Sequence, residues 1–472
     1  MFTLKTIHLK KEVSKENRIV LLLDLNASCP SMYPLLYSIQ LLRYQALSTQ
    51  YNDLIALKFW YIFWHQKFST SFCASFYSSS YNFEMVQDEI DNFIIYLENN
   101  KEIDGNIIRL RSLSSIDYTT ISLRVRSFLK FYSFLIDQYL TTRYKPQFTL
   151  NEINNIKNNL NKYITKKKKQ INNFPSSNKK NNSEINYSFK SMNNEMVQDL
   201  YVIILPSYSK KVNHVNPFVS QKVQFRNFLI VHLMLNYGLR VGELMLLTIN
   251  SVKKSIKKGN EPQKFNLIIT NTEDEFDERK RKPKIKNDYS SRAIELDKQD
   301  YEILQIYIHK IRKEIPSQIL FTSLAPPYSA MSYANIRKIF EKIEISLKTL
   351  HPEYFDASNY DSIECLTPHT CRHSWAYMIL GDSFKKYKIE SIKNSNPMKS
   401  TQDALMKAQE DLRALGGWSP TSLMPGHYGK RFTVERANSM NLSRIDDLSK
   451  LLNLNDYIKD LFHKSKNDHL FD

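Results

Sequence analysis

Cysteine is scarce in this chain of 472 residues. The four cysteines, Cys29, Cys73, Cys365 and Cys371, are scattered, and no two of them form a Cys-x-x-Cys pair. This spacing argues against a disulfide scaffold and against a zinc ribbon. It is typical of a protein of the reducing cytoplasm, which is the compartment we expect.

Long apolar runs are also missing. A membrane-spanning helix needs roughly 20 apolar residues, and the longest candidate, Phe225 to Leu235, is interrupted by Arg226 and His232. The first apolar run, Ile19 to Leu23, is short and is followed by Asp24, unlike a signal peptide. We therefore expect a soluble protein that has no membrane partner.

Acidic residues are too few to balance the basic ones. Lysine and arginine number 66 against 48 aspartates and glutamates, which gives a formal net charge of +18. Such an excess favours a polyanionic partner, DNA or RNA before a membrane surface. A solvated basic surface would have the same composition, so charge alone does not establish the partner.

Length and composition predict two domains. A chain of 472 residues with 42% hydrophobic residues is too long for one ordinary core. Asn and Lys dominate from about Asn151 to Asn194, which indicates a partly disordered linker. The predicted organisation is an N-terminal extension at 1–33, a helical domain at 34–150, a linker at 151–198, a mainly helical domain with a small antiparallel sheet at 199–440, and an amphipathic tail at 441–472.

One predicted helix of the first domain, from about Tyr118 to Tyr139, has a basic face. Ser122, Arg126 and Lys130 are four residues apart, so they share one side of the helix. This face fits a phosphate backbone and fits an ordinary solvated surface equally well. The segment around Lys58 resembles the one around Lys130, so Arg126, Lys130 and Lys58 are the candidate DNA contacts. The predicted apolar stripe of this helix consists of Ile121, Val125, Phe128, Tyr132 and Leu135.

The first segment that suggests chemistry is Gly238 to Leu244. A buried helix is predicted to stop at Gly238, and Arg240 follows at the edge of the core. An arginine fork donates to two oxygens, which suits a phosphodiester. Glu243 either orients that arginine or caps the next helix.

The second segment is His369 to His373. His369 and Arg372 are three residues apart and share a helix face. His369 and His373 have the spacing of a zinc-protease motif, but Thr370 stands where the glutamate base would be and no third ligand is evident. We expect no metal here and a structural role for His373.

The third segment contains Leu415-Gly416-Gly417-Trp418, with His427-Tyr428 ten residues further on. Trp418 offers an indole N–H, and Tyr428 offers a hydroxyl beside basic residues. Each of them taken alone is more often a packing residue than a catalyst.

In the order Arg240, His369, Arg372, Trp418 and Tyr428, these residues resemble the tyrosine recombinase family, which includes phage integrases and bacterial chromosome-dimer resolvases. The resemblance covers roughly residues 200–440 and extends to 36–150, which is similar to the family's helical core-binding domain. It implies a mainly α fold with a small antiparallel β-sheet (α+β) and a DNA breaking-rejoining catalytic domain.

The resemblance also implies the chemistry. Tyr428 would attack a scissile phosphate to form a 3′-phosphotyrosyl intermediate, and Arg240 and Arg372 would bind the non-bridging oxygens. His369 would act as a base or as a hydrogen-bond donor, and Trp418 would donate to a phosphate oxygen. The family's hairpin lysine is assigned to Lys286, before the strand Arg292 to Leu296, with Lys284 and Lys282 as alternatives. No metal, ATP or other cofactor is expected.

The implied partners are double-stranded DNA, further copies of the chain in a synaptic tetramer and accessory DNA-bending proteins, in the service of a mobile element. One departure is the connection of about 46 residues from Arg372 to Trp418, whose excess at 383–401 is expected to form a surface loop. Three alternatives remain: a type IB topoisomerase, a catalytically inert DNA-binding relative, and a metal-dependent transposase that uses the acidic cluster at 273–278.

Overall fold

The structure is a computed structural model. It describes residues 2–8, 18–99, 117–145, 147–174, 188–208, 211–256, 262–271, 279, 283–285, 287–393 and 397–451. The chain divides into two compact units, 1–184 and 185–472. The described residues are mostly helical and form two small antiparallel sheets, which confirms the predicted fold class.

The described residues of unit 1 form a three-stranded antiparallel sheet and six α-helices. The strands are β1 Phe2–His8, β2 Arg18–Asp24 and β3 Cys29–Pro30, in the order β1-β2-β3. The helices are α1 Met32–Gln40, α2 Leu47–Phe68, α3 Phe72–Ser78, α4 Phe83–Glu98, α5 Tyr118–Tyr144 and α6 Leu150–Asn172.

The core of unit 1 is built from aromatic side chains on α2 and α5. Trp60 stacks on Phe128 with ring centroids 3.9 Å apart, and Phe93 from α4 meets Trp60 edge-on at 5.2 Å. The five residues of the apolar stripe predicted for α5 are all buried. Aromatic rings bury large areas each, so these helices contribute much of the stability of the unit.

The N-terminal segment differs from its prediction. Residues 1–33 were expected to be an extension without a regular pattern, but β1 and β2 pair over seven residues, from Phe2 opposite Asp24 to His8 opposite Arg18. Residues 19–22 are all buried, so the alternation that marks a half-exposed strand is missing. Gln50 on α2 accepts from the backbone N–H of Val20 at 3.0 Å, which joins β2 to that helix.

The predicted linker at 151–198 is wrong for its first part, because α6 occupies 150–172. Thr149 and Glu152 form a reciprocal capping box at the start of this helix. Its sparse apolar residues lie on one face and join the core of unit 1: Ile153, Leu160, Ile164 and Ile171. The polar composition reflects the exposed face of a helix. Of the rest of the predicted linker, residues 175–187 lie outside the described part, and residues 194–198 belong to a second helix, Asn194–Ile204.

Unit 2 contains nine described helices and a second antiparallel sheet, ordered β4-β5-β6. The strands are β4 Val252–Lys254, β5 Phe265–Ile269 and β6 Arg292–Leu296. The helices are α7 Asn194–Ile204, α8 Gln221–Asn236, α9 Val241–Leu246, α10 Lys298–Ile306, α11 Tyr333–Leu350, α12 Pro368–Lys393, α13 Pro397–Leu415, α14 Met424–Tyr428 and α15 Lys430–Leu451.

The surface loop predicted at 383–401 is also wrong. Helix α12 continues to Lys393, and α13 begins at Pro397 and packs against it. Ala404 and Ala408 are fully buried on one face of α13, and small side chains at this spacing allow two helices to approach closely. The Tyr387 hydroxyl donates to Asp411 at 2.6 Å and links the two helices.

The predicted boundary at 440 falls inside α15, which runs unbroken from Lys430 to Leu451. Met440, Leu442 and Ile445 on this helix are exposed, and residues 452–472 of the predicted tail lie outside the described part. Among the described helices, none is long and apolar enough to cross a membrane.

Candidate active site

Arg240 enters the site from a turn that requires glycine. Helix α8 ends at Asn236, and Gly238 follows with φ +58°. A Cβ on Gly238 would lie 2.3 Å from the Trp375 ring, so a side chain would be both strained and obstructed. Arg240 is the N-cap residue of α9, and its side chain is 18% exposed.

The Glu243 carboxylate, which is 2% exposed, organises the cations around it. It accepts from the backbone N–H and from Nη1 of Arg240, and from Nη2 of Arg292 at 3.0 Å. Burial alone would raise the pKa of Glu243, but Arg292, Arg240 and Arg372 hold it below its usual value. The carboxylate is therefore ionised at neutral pH, and it both orients Arg240 and caps α9.

Arg292 joins three parts of the site. Its Nε donates to the carbonyl of Leu415 at 2.8 Å, and its Nη1 donates to the carbonyl of Ser290 at 3.0 Å. Its Nη2 donates to Glu243. The sequence predicted Arg292 only as the first residue of a strand, so this positioning role was missed.

Arg372 lies on α12 and is 1% exposed. It donates from Nη1 to the carbonyl of Gly238 and from Nη2 to the carbonyl of Gly416 at 2.6 Å. Each of these nitrogens carries a second hydrogen, so the guanidinium retains donors for an oxyanion. Burial, followed by repulsion from Arg240, lowers the pKa of Arg372. The negative charge of a bound anion would offset both effects.

Backbone carbonyls of the Gly416-Gly417-Trp418 turn accept hydrogen bonds from Arg240 and Arg372. The Gly417 carbonyl accepts from Arg240 Nη2 at 3.5 Å, while Gly416 accepts from Arg372. Gly417 has φ +61°, and a Cβ there would lie 2.8 Å from Nη1 of Arg292. The Trp418 ring lies 4.4 Å from Cζ of Arg372 and 5.7 Å from Cζ of Arg240, which is the range of cation–π attraction.

Tyr428 is the last residue of α14 and is 6% exposed. Its ring stacks on His373 at 4.3 Å, with Trp418 at 5.1 Å and His369 at 5.2 Å. Cζ of Arg372 lies 5.5 Å from the ring centroid. Within the described residues no hydrogen bond to its hydroxyl is found, so aromatic contacts hold the ring and the hydroxyl stays available.

The two histidines of α12 differ in role. His373 is buried, and burial followed by the neighbouring His369 lowers its pKa to about 3, so it is a neutral platform beneath Tyr428. His369 is more exposed, and partial burial followed by repulsion from Arg372 lowers its pKa as well. A largely neutral His369 suits a group that accepts a proton near pH 7.

The predicted hairpin lysine, Lys286, lies outside the described residues, as does Lys282. Lys284 is described and exposed, and its carbonyl lies 3.8 Å from the position that a Cβ on Gly242 would take. The backbone of this segment therefore passes beside α9, close to Arg240. The acidic cluster at 273–278 also lies outside the described part.

The charges of the site do not balance. Arg240, Arg292 and Arg372 surround one carboxylate, Glu243, so the cluster carries an excess of positive charge in a largely buried position. Buried charges require partners. The arrangement can bind an anion that has several oxygens and place it beside the Tyr428 ring.

The candidate DNA contacts of unit 1 are in different environments. Arg126 is exposed and bonds Asn172 at the end of α6, while Lys58 is half-buried. Lys130 is 55% exposed and lies 3.6 Å from the buried Asp53 carboxylate, so the protein itself partly neutralises it. Of the three, Arg126 is best placed to contact a polyanion.

The lysines of the predicted linker were possible DNA contacts from the sequence, but the interpretation as a linker missed the helix face that several of them share on α6. We define the α6 stripe as the exposed residues Asn154, Asn155, Asn158, Asn161, Lys162, Thr165, Lys166 and Lys169. Helical spacing places them on one face, which contains no acidic residue. Lys157 and Lys167 lie off this face and pair with Asp137 and Asp91.

No protein-family model and no curated protein matches the chain. Among solved structures, XerH site-specific recombinase in a post-cleavage complex with its palindromic difH substrate is 16% identical, covers 75% of this chain and 79% of its own, and has a TM-score of 0.32. The Tn1549 transposon integrase with transposon right end DNA is 12% identical, covers 75% and 93%, and has a TM-score of 0.32. The same integrase with a circular intermediate DNA is 11% identical, covers 82% and 99%, and has a TM-score of 0.34.

The chain is similar to tyrosine recombinases.

Proposed function

We propose that this protein is a site-specific tyrosine recombinase of the integrase type, which cleaves and rejoins DNA through Tyr428. The observation that carries the proposal is the convergence of Arg240 and Arg372 on Trp418, with the Tyr428 ring 5.1 Å from the indole. Two guanidiniums beside a phenol are the groups that phosphoryl transfer to a tyrosine needs.

The proposed first step forms a bond between Tyr428 Oη and the scissile phosphorus. His369 accepts the phenolic proton directly or through water, because an ordinary tyrosine with a pKa near 10 is a weak nucleophile at neutral pH. Arg240 and Arg372 donate to the non-bridging oxygens, where charge grows in the transition state. Trp418 donates its indole N–H to a phosphate oxygen.

The same step breaks the bond between phosphorus and the 5′-oxygen. Lys286 is proposed to give its proton to the departing oxygen, which leaves a free 5′-hydroxyl and a 3′-phosphotyrosine. Rejoining reverses these transfers with a 5′-hydroxyl as nucleophile. The phosphotyrosyl bond conserves the energy of the phosphodiester, so the proposed cycle uses neither a metal ion nor ATP.

DNA binding is proposed to use the α6 stripe together with Arg126. The three lysines of the stripe have no acidic partner among the described residues, whereas Lys157 and Lys167 do. Lysines contact phosphates, and asparagines can pair with the edges of adenines. The organisation proposed for the full chain is a DNA-binding unit at 1–184 and a catalytic unit at 185–472, acting in a synaptic tetramer for a mobile element.

The test is a covalent trap. The full chain is incubated with a pool of nicked duplexes of random sequence, denatured in detergent, and assayed for protein that carries labelled DNA. The wild type should give a product that Tyr428→Phe does not give, and peptide mapping should place the DNA on Tyr428. A Tyr428→Phe variant that still traps DNA would refute the nucleophile.

A second assay separates the recombinase from the topoisomerase alternative. Both would form the covalent product, but a type IB topoisomerase relaxes supercoiled plasmids of any sequence. We expect the trapped duplexes to share a sequence and relaxation to require that sequence. Efficient relaxation of plasmids that lack it would favour the topoisomerase, and the absence of any trapped product would favour an inert DNA-binding protein.

A further inference from the structure

The chain after Tyr428 is held by one buried arginine. Arg431 lies one turn further on, in α15, and its side chain is 2% exposed. Each of its three nitrogens donates: Nε to Glu435 at 2.7 Å, Nη1 to the carbonyl of Ser191 at 2.9 Å, and Nη2 to Asp361 at 2.6 Å.

These partners belong to separate parts of unit 2. Ser191 lies in the segment that enters the unit, and the next residue, Met192, donates its N–H to Ser374 Oγ at 2.8 Å. Ser374 follows His373 on α12, the residue that stacks on Tyr428. Arg431 therefore connects α15, through Ser191 and Met192, to α12, the helix whose His373 stacks on Tyr428.

Arg431 also packs on aromatic side chains. Its Cζ lies 4.4 Å from the ring centroid of Phe189 and 5.6 Å from that of Tyr377. The N–H of Phe189 donates to the carbonyl of Ser362 at 2.8 Å, so the surface beneath the guanidinium is itself anchored. Planar stacking combined with several hydrogen bonds is a role that lysine does not reproduce.

By contrast, Tyr428 has few polar anchors of its own. Its carbonyl lies 3.5 Å from Nδ1 of His373, and its ring is held by aromatic contacts. Helix α14 has only five residues, and Gly429 separates it from α15. Such a short helix depends on tertiary contacts to keep its position.

We propose that Arg431 is a positioning residue that keeps Tyr428 docked against α12 of its own chain. The effect of Arg431 on catalysis rests on the function proposed above, whereas its effect on the position of Tyr428 does not. Arg431 touches no reacting atom, and its buried nitrogens are already engaged by the protein. Its loss should therefore slow the chemical step and leave DNA binding unchanged.

The test compares Arg431→Gln, Arg431→Lys and wild type. With saturating DNA, Arg431→Gln should form the covalent product about 10²-fold more slowly, because misplacement of a nucleophile by about 1 Å costs roughly that factor. Its DNA dissociation constant should stay within about twofold of the wild-type value. Arg431→Lys should fall between the two, because an ammonium can reach one acceptor but cannot bridge three.

Lys430→Gln is the matched control. It removes the same charge from the neighbouring exposed position, and it should react at the wild-type rate. Asp361→Asn is a milder variant in case Arg431→Gln does not fold, since this carboxylate is 57% exposed and its amide replacement still accepts one hydrogen bond. It should slow the covalent step severalfold.

A second readout does not depend on activity. Amide hydrogen exchange in peptides that cover residues 424–430 should be faster in Arg431→Gln than in the wild type, while exchange in α8 should be unchanged. Equal exchange, an unchanged covalent rate, or a parallel loss of DNA affinity would each overturn the proposal. If the wild type never forms a covalent product, the proposed function fails, and the exchange measurement still decides the role of Arg431.

Discussion

Replacing Glu243 by glutamine should destabilise unit 2 by about 3–5 kcal/mol, the usual cost of breaking a buried ion pair by removing one partner. The carboxylate is 2% exposed and accepts from Arg240 and Arg292. Glutamine keeps the size of the side chain and one acceptor oxygen, but it removes the only negative charge that the described structure places among the three arginines. The charges of Arg240, Arg292 and Arg372 would then repel one another without compensation.

Thermal melting measures this effect. For a domain of this size, 1 kcal/mol corresponds to a change of about 2–4 °C in the melting temperature, so we expect a decrease of roughly 6–20 °C. The matched control is Glu295→Gln, on the strand that contains Arg292. Its pair with Lys264 spans 3.8 Å between side chains that are 60% and 56% exposed, and such a pair contributes less than about 1 kcal/mol.

Anions and pH extend the test. Inorganic phosphate at 100 times its dissociation constant for Glu243→Gln should stabilise that variant by about 2.7 kcal/mol, and the same concentration should stabilise the wild type less. The pKa of Glu243 in the folded protein lies below its ordinary value of 4.5, so its stabilisation is complete above that pH and is lost as pH falls through the folded value. The difference in melting temperature between Glu243→Gln and the wild type should therefore become smaller in acid. A melting temperature equal to that of Glu295→Gln would refute the reasoning.

Two further predictions concern pH and salt. The folded pKa of His373 is about 3, so below pH 6.5 the unfolded chain binds a proton that the folded chain does not. In urea unfolding, lowering the pH from 7.5 to 4.5 should therefore reduce the stability of the wild type by about 2–3 kcal/mol more than that of His373→Phe. Parallel pH curves for the two proteins would contradict this. Replacing Lys162, Lys166 and Lys169 by glutamine should make the slope of log K against log salt concentration shallower by about 2.7 in DNA-binding titrations. Lys157→Gln, which loses only its pair with Asp137, should leave this slope nearly unchanged. An equal slope for the triple variant and the wild type would exclude the stripe from DNA contact.

Much of the helical architecture could be predicted from local pattern. The apolar stripe of α5 is buried as its spacing indicated. Helix α8 ends at Asn236, close to the predicted stop at Gly238. Composition misled where a helix buries little. In α6, four buried apolar residues attach the helix to unit 1, with Ile156 and Tyr163 packed beside them, and the polar majority was interpreted as a linker.

The same distinction applies at 383–401. The polar side chains there suggested a loop, but α12 and α13 run through this stretch, and α13 packs on α12 through Ala404 and Ala408. Alanine is a weak signal in a hydrophobic pattern, and its small size matters only when a second helix is close. The partner helix, rather than the local composition, determined the outcome.

By itself, the sequence determined which groups are available: two arginines, a histidine, a tryptophan and a tyrosine in a recognisable order, with glycines at the two left-handed turns of the site. Only the tertiary structure decided that Arg292 joins Arg240 on one carboxylate and that Arg431 reaches Ser191. Arg292 and Glu243 are separated by 49 residues along the chain, and Arg431 and Ser191 by 240. Local spacing specifies which residues share a helix face, but contacts at such separations exist only after several helices and a sheet have packed, so no local pattern could reveal them.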